Sequence, residues 1–282
     1  RDWEKVAREV HSIEPVPPWR DLWIQPTGEQ WAEMVQMLLA GEALAFDIET
    51  NPEQGKILCI SFVADPYWAV SVPWSKGYKD GIRALLASDL PKITQNGHYD
   101  CFWLAQEGFL VNNWQWDTMA MSCLLWPNEP HSLAYLASIL TREPWYKGTD
   151  EDTGEKRWAL AEEAVDKWHA LLEYNARDAA VTWECWVGLK QRLEEKHGSV
   201  AGRIQRTSQR GSLCLDTGGT GETYCVDAPA VSDTWYVHQD DSPSAQGEGC
   251  EEALGWMYIY KDQYQALFQP ILDVMLHGMV VD

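Results

Sequence analysis

Residues 43–50, ALAFDIET, join an apolar run of strand length to two acids placed two residues apart. Ala43, Leu44, Ala45, Phe46 and Ile48 supply the run, and Asp47 and Glu49 interrupt it. Side chains at i and i+2 of a strand point to one face, so the two carboxylates converge on one spot. Crowded carboxylates repel each other, and oxygen-only donors of this kind suit Mg2+ or Mn2+ as the neutralising cation. A D-x-E triplet arises roughly once by chance in a chain of this length and acid content. Its meaning therefore depends on what else reaches the same place.

On the N-terminal side, Trp31, Met34, Val35, Leu38 and Leu39 follow helical spacing, which predicts a helix from about Glu29 to Leu39 with Thr27 or Gly28 as cap and Gly41 as terminator. Residues 1–27, with EPVPPW and IQPTG, lack a clear period and read as an extended lead-in. On the C-terminal side, ILCISFV (57–63) and WAVSVPW (68–74) flank ADPY and predict a β-hairpin. A short helix around Gly81 to Ala87 leads to a strand KITQN (92–96), and helices are expected over HYDCFWLAQEG, over WDTMAMSCLLW with Asp117 as N-cap, and over HSLAYLASIL (131–140). A polar loop, REPWYKGTDEDTGEK, then precedes two longer helices, about Ala159 to Glu173 and Ala176 to Lys196. Strands first and helices later give an α/β order.

Residues 198–252 are rich in Gly, Ser, Thr and Asp, lack Lys and Arg between Arg210 and Lys261, and show no period that would bury a face. They read as an atypical linker or insertion with weak order. A period returns near the end, where Tyr260, Tyr264, Leu267, Phe268, Ile271, Leu272, Met275 and Leu276 predict an amphipathic helix ending at Gly278.

The chain has 282 residues, of which 45% are hydrophobic, as in a globular protein. No run of about 18 apolar residues occurs and the first residues are charged, so neither a transmembrane helix nor a signal peptide is expected, and the chain reads as soluble and cytoplasmic. A start at Arg1 rather than Met reads as a fragment. The 7 cysteines are scattered without a C-x-x-C pair, which favours reduced core residues over zinc ligation, and core filling is the expected role of most of the 17 tryptophans. A net charge of −21 repels a phosphate backbone, so nucleic acid would have to be held locally, through metal ions or with help from another domain.

Two further acids have suitable settings. Asp100, in QNGHYDCFWL, lies at a strand-to-helix transition after Asn96 and Gly97, where it could face the sheet edge or simply complement a helix N-terminus. Asp178, in LLEYNARDAAVTWE, follows Tyr174 by four residues, which puts phenol and carboxylate on one helix face. The alternative is a cap or break between two helices, with Asn175 or Asp178 capping.

FDIET, NGHYD and YNARD, in this order and at these separations, resemble the DEDD exonucleases of the tyrosine subclass. The histidine subclass needs His five residues before the last acid, where this chain has Glu173. Within that superfamily the sequence is most similar to the proofreading domain of family A DNA polymerases, since the ILCISFV and WAVSVPW pair, WDTMAMSCLL and HSLAYLA match its further landmarks in order across about residues 28–197. YQALFQPILDVMLHGMVVD resembles the passage from exonuclease into polymerase, so 253–282 would begin a truncated polymerase-like domain.

The resemblance implies a ribonuclease H-like fold, with a mixed central sheet of antiparallel hairpin and parallel strands flanked by helices. It also implies 3′ to 5′ hydrolysis of DNA with two ions of Mg2+ or Mn2+. Asp47, Glu49 and Asp178 would hold the ion beside the nucleophile, Asp47 would bridge to a second ion held by Asp100, and Tyr174 would orient the attacking water. Thr50 and Asn96 are candidates for contacts to the terminal nucleotide. The implied partners are a single-stranded 3′ end of DNA and a downstream polymerase domain, with no membrane. A ribonuclease D-like enzyme acting on RNA, or an inactive nucleic-acid-binding or interaction module, are the other readings.

Overall fold

The computed structural model describes residues 18–144, 146–147 and 164–195, strands at 203–206, 212–216, 223–227, 237–240 and 252–253, and residues 260–277. Arg1–Leu189 with Gln265–Asp282 form one compact unit, and Lys190–Tyr264 a second.

The first unit is built on a 6-stranded mixed sheet with strand order β1-β4-β3-β2-β5-β6. Its strands are β1 (Asp21–Ile24), β2 (Leu44–Asn51), β3 (Lys56–Asp65), β4 (Trp68–Pro73), β5 (Lys92–Thr94) and β6 (Trp114–Asp117). The expected hairpin is β3 against β4, antiparallel, and β3 also runs antiparallel to β2. The remaining pairs, β1 with β4, β2 with β5 and β5 with β6, are parallel. This is the ribonuclease H-like mixed sheet that the sequence implied.

Alternation along β2 assigns its two faces. Leu44, Phe46 and Ile48 join a core cluster with α1 (Gly28–Leu39), α2 (Lys76–Ala87) and α3 (Gly97–Gln106), through Trp31, Val35, Leu38, Ile82, Leu85 and Leu104. The opposite face meets α6 (Ala164–Glu195), whose Leu171 and Leu172 pack on Cys59 of β3. Asp47 and Glu49 lie on this second face, opposite Ser61 and Cys59 in the β2–β3 register. Two short helices, α4 (Thr118–Leu125) and α5 (Leu133–Leu140), begin at the caps Asp117 and Ser132. Helix α1 opens with a capping box in which Thr27 and Gln30 exchange hydrogen bonds.

Several elements differ from expectation. The lead-in 1–27 contains β1, a strand too short to show a period, and residues 1–17 lie outside the described ones. Helix α2 begins at Lys76 rather than near Gly81, and β6 was not anticipated within NNWQWD. Strand β5 stops at Thr94, because Asn96 turns the chain in the left-handed region at φ 60°. The two helices expected over 159–196 are one helix of 32 residues from Ala164, and the expected start at 159–163 lies outside the described residues. Asn175 does not break it, because its side chain bonds across to the sheet instead of capping. Toward the C terminus a π-helical turn (Tyr260–Tyr264) and a 3-10 turn (Gln265–Leu267) precede α7 (Phe268–His277), so only the last part of the expected helix is α. Phe268 stacks on Trp114 at 4.3 Å between ring centroids, and the carbonyl of Phe268 accepts from His98 Nε2 at 3.2 Å.

In the second unit the described part of 198–252 forms an antiparallel sheet, ordered β10-β9-β8-β7-β11, from β7 (Arg203–Arg206), β8 (Ser212–Asp216), β9 (Thr223–Asp227), β10 (Val237–Asp240) and β11 (Glu252–Ala253). Each strand is 2–5 residues long, too few to register as a period among Gly and Ser. Cys59, Cys101, Cys123 and Cys185 are free thiols, and all but Cys123 are buried.

Candidate active site

A bulge between Glu49 and Thr50 shifts the register of the β2–β3 ladder just beyond the two acids, and pairing resumes at Thr50 with Ile57. Asp178 approaches them from α6, and one carboxylate oxygen from each of Asp47, Glu49 and Asp178 lies within 4.8 Å of the others. Asp178 is buried, while Asp47 and Glu49 keep partial exposure. Enclosure of the Asp47 carboxyl, and then the charges of Asp178, Asp100 and Glu49, push it well above the usual carboxylate range, against a smaller opposing pull from Lys147.

Asp100 is buried on α3, where Oδ1 accepts from the backbone N–H of Ile48 at 3.0 Å. That bond pins α3 to β2 between the two strand acids. Burial pushes the Asp100 carboxyl up, the Ile48 N–H pulls it down, and Asp117 and Glu49 push it up further. Asp100 is thus within electrostatic reach of the cluster without belonging to its closest group of three.

Tyr174 lies one helical turn before Asp178, as the spacing required. Its hydroxyl accepts from Lys147 Nζ at 3.0 Å, and Lys147 also reaches Asp178 Oδ2 at 2.5 Å. Burial and then Asp178 push the phenol above its ordinary range despite Lys147, so it remains protonated. Tyr146 donates to Asp178 Oδ1 at 2.7 Å. Burial alone would pull Lys147 down, but Asp178 and Tyr174 more than offset it and hold the ammonium charged.

Thr50 and Asn96 occupy different settings. Thr50 Oγ1 shares a hydrogen bond with Tyr99 OH at the surface just beyond Glu49. Asn96 turns the chain into α3, and its backbone N–H, with that of Gly97, donates to Asp117 at 3.3 and 2.7 Å.

Four residues at the site were not singled out as functional by sequence reasoning. Asn175 is buried; its amide donates to the Asp47 carbonyl (3.1 Å) and to Asp47 Oδ2 (2.8 Å), while its own oxygen accepts from Ser71 Oγ at 2.8 Å. Tyr146 and Lys147 come from a loop whose polar sequence gave no sign of their direction. The segment before them is tied down by Glu143, which pairs with Arg20 (2.7 Å) and Arg177 (3.6 Å). Asp117 reads only as a helix cap, yet it also bonds Thr94 (3.1 Å) and so fixes the turn that carries Asp100.

Residues 24–195 match the sequence profile of a 3′-5′ exonuclease family. The chain belongs to that family. The matched stretch runs from the last residue of β1 to the end of α6, and it is a nuclease domain, a hydrolase by kind. No curated protein matches the chain. Solved structures similar to it include the catalytic core of RRP6 from Trypanosoma brucei, at 17% identity and a TM-score of 0.47, covering 62% of this chain and 47% of that one. NrnC of Brucella melitensis is similar at 21% identity and a TM-score of 0.46, covering 62% and 82%. RNase D of Trypanosoma brucei is similar at 16% identity and a TM-score of 0.46, covering 60% and 64%. This chain spans about half the length of the RRP6 core that it matches. Among the described residues no helix is long and apolar enough to cross a membrane.

Proposed function

We propose that this domain removes nucleotides one at a time from the 3′ end of single-stranded DNA, as the proofreading part of a DNA polymerase, using two divalent metal ions. The observation that carries the reading is the convergence of Asp47, Glu49 and Asp178 within 4.8 Å, with Tyr174 one turn away on the same helix. The donor set fits a hard divalent cation: every ligand is a carboxylate oxygen, and the acids are crowded enough to raise the Asp47 carboxyl. Asp47, Glu49 and Asp178 would hold the ion beside the nucleophile, and Asp47 and Asp100 the second. When bound, Mg2+ or Mn2+ supplies an activated water and stabilises the leaving 3′-oxygen.

The protein groups do the rest. Tyr174, kept protonated, positions the attacking water by hydrogen bonding and is no general base at neutral pH. Asn175 donates to one oxygen of Asp47 and so sets the orientation of that carboxylate. Lys147 supplies a positive charge next to the scissile phosphate in a chain that otherwise repels it. Thr50, Tyr99 and Asn96 flank the place for the terminal nucleotide. DNA rather than RNA is favoured by the sequence landmarks shared with family A polymerases, and a downstream polymerase domain would deliver the strand.

The test is release of 3′-terminal nucleotides from labelled single-stranded DNA and from RNA of the same sequence, with Mg2+. Faster release from DNA is expected, and loss of release in the Asp47→Ala, Asp178→Ala double variant. Equal rates in wild type and double variant overturn the proposed site, and preference for RNA overturns the substrate.

A further inference from the structure

A cleft lies on the other face of the sheet. In the β1–β4 register Asp21 stands beside Trp68 and Trp23 beside Val70. Val70 belongs to the core cluster containing Phe46, Ile48 and α1, whereas Ile24 packs with Leu171 on the side of α6. Strand alternation therefore puts Asp21 and Trp23 on the α1 face, turned away from Asp47 and Glu49. There, Trp19, Trp23, Tyr67, Trp68, Asp21 and Glu33 help to line a cleft of about 390 Å3 between β1, the β3–β4 turn and α1. Its aromatic side chains are open to solvent: Trp19 is 71% exposed, Tyr67 65% and Trp23 41%. Neither Asp21 nor Glu33 is ion-paired among the described residues.

Aromatic faces with adjoining carboxylates have one complementary ligand chemistry. The ring quadrupole attracts a cation, the carboxylates neutralise it, and the apolar walls cover its alkyl stem. Arginine suits this best, since guanidinium stacks on aromatic rings and pairs with carboxylates. Phosphate-bearing ligands are repelled by the same acids and by the net charge of −21. Strand β1 is also the outermost strand, paired with β4 alone among the described strands, so its other edge offers backbone groups to an extended chain. We propose that this cleft binds an extended, arginine-bearing segment of a partner protein, seating the guanidinium among Trp19, Trp23, Tyr67 and the two acids.

The test is calorimetric titration of the whole chain, at about 0.15 M salt to screen general attraction, with the acetylated and amidated pentapeptide Thr-Val-Arg-Val-Thr. Saturable one-site binding is expected, weakened at least tenfold when citrulline replaces arginine, in Trp23→Ala, and in Asp21→Asn, Glu33→Gln, while release of 3′-terminal nucleotides is unchanged in these variants. Because both acids are exposed, the double variant retains the fold even if Trp23→Ala does not. Absence of binding, equal binding of the citrulline peptide, or equal binding by the double variant overturns the proposal. Displacement of the peptide by a single-stranded oligonucleotide without metal also overturns it, in favour of base stacking.

Discussion

Asp47→Asn should make the metal-free protein more stable while abolishing its response to metal. Carboxylate oxygens within 4.8 Å repel by about 3 kcal/mol per pair at an effective dielectric near 20. Asp47 makes two such pairs, with Glu49 and Asp178. Partial exposure, the counter-charge of Lys147 and proton uptake by Asp47 itself each reduce the gross figure. An amide at this position keeps a hydrogen bond to Asn175 but loses its charge assistance, costing about 1 kcal/mol. The net expectation is a gain of about 2 kcal/mol, or roughly 4–8 °C in Tm for a domain of this size. The pH dependence has a defined sign. The folded-state pKa of Asp47 is raised, so the native state binds the proton more tightly than the unfolded chain, and metal-free stability falls as pH rises from about 4 through that raised value. Urea melts at neutral pH, in EDTA and in excess Mn2+, read both effects. Wild type should gain stability with Mn2+ as RT ln(1 + [L]/Kd), and the variant should start higher and gain nothing. A variant less stable than wild type in EDTA, or one with an undiminished Mn2+ gain, refutes the reasoning.

Replacing Lys147 by Met removes the cation that lowers the Asp47 carboxyl, so the pH midpoint for Mn2+ binding should move upward, since ligation requires the deprotonated acid; calorimetry at stepped pH checks this. Asn175→Ala leaves Ser71 and the Asp47 oxygen without their buried partner and should cost about 1–3 kcal/mol in a urea melt. Gly97→Ala would put a Cβ 2.2 Å from Thr94 Oγ1 and 2.7 Å from Trp114, displacing the turn that carries Asp100; a loss of about 1–3 kcal/mol in thermal melts, with slowed nucleotide release, is expected. Lys92 donates from Nζ to the carbonyls of Ser88, Leu90 and Asn112 at 2.7–3.1 Å, and burial, outweighing Asp89, lowers its pKa to about 8. The unfolded chain then binds more protons between pH 8 and about 10.5, so stability should rise over that window, and Lys92→Met should remove the rise.

The sheet and the strand acids were legible because β2 carries both its face assignment and its chemistry in a period of two. The hairpin, the Asp117 cap and the Tyr174–Asp178 spacing were legible for similar local reasons. What was hidden is long-range. Asn175 looks like a helix breaker by composition, and only Asp47, Ser61 and Ser71, brought from distant strands, turn it into a fastener inside an unbroken helix. Tyr146 and Lys147 sit in a polar loop without periodicity, and their aim is decided by Arg20 and Arg177 gripping Glu143. Strands of only a few residues, such as β1 and β6, give periodicity too little to work with.

The alternation along β2 has a consequence for errors in strand pairing. A slip of one residue would turn Asp47 and Glu49 toward Trp31, Leu38 and Phe62 and send Phe46 and Ile48 out beside Asn175. Two unpaired carboxylates in an apolar interior cost several kcal/mol each, more than most single contacts in the fold can return. The acids proposed to hold metal on this strand therefore also guard it against misfolding, and a variant that replaces both with alanine loses a safeguard on folding yield as well as the proposed metal ligands.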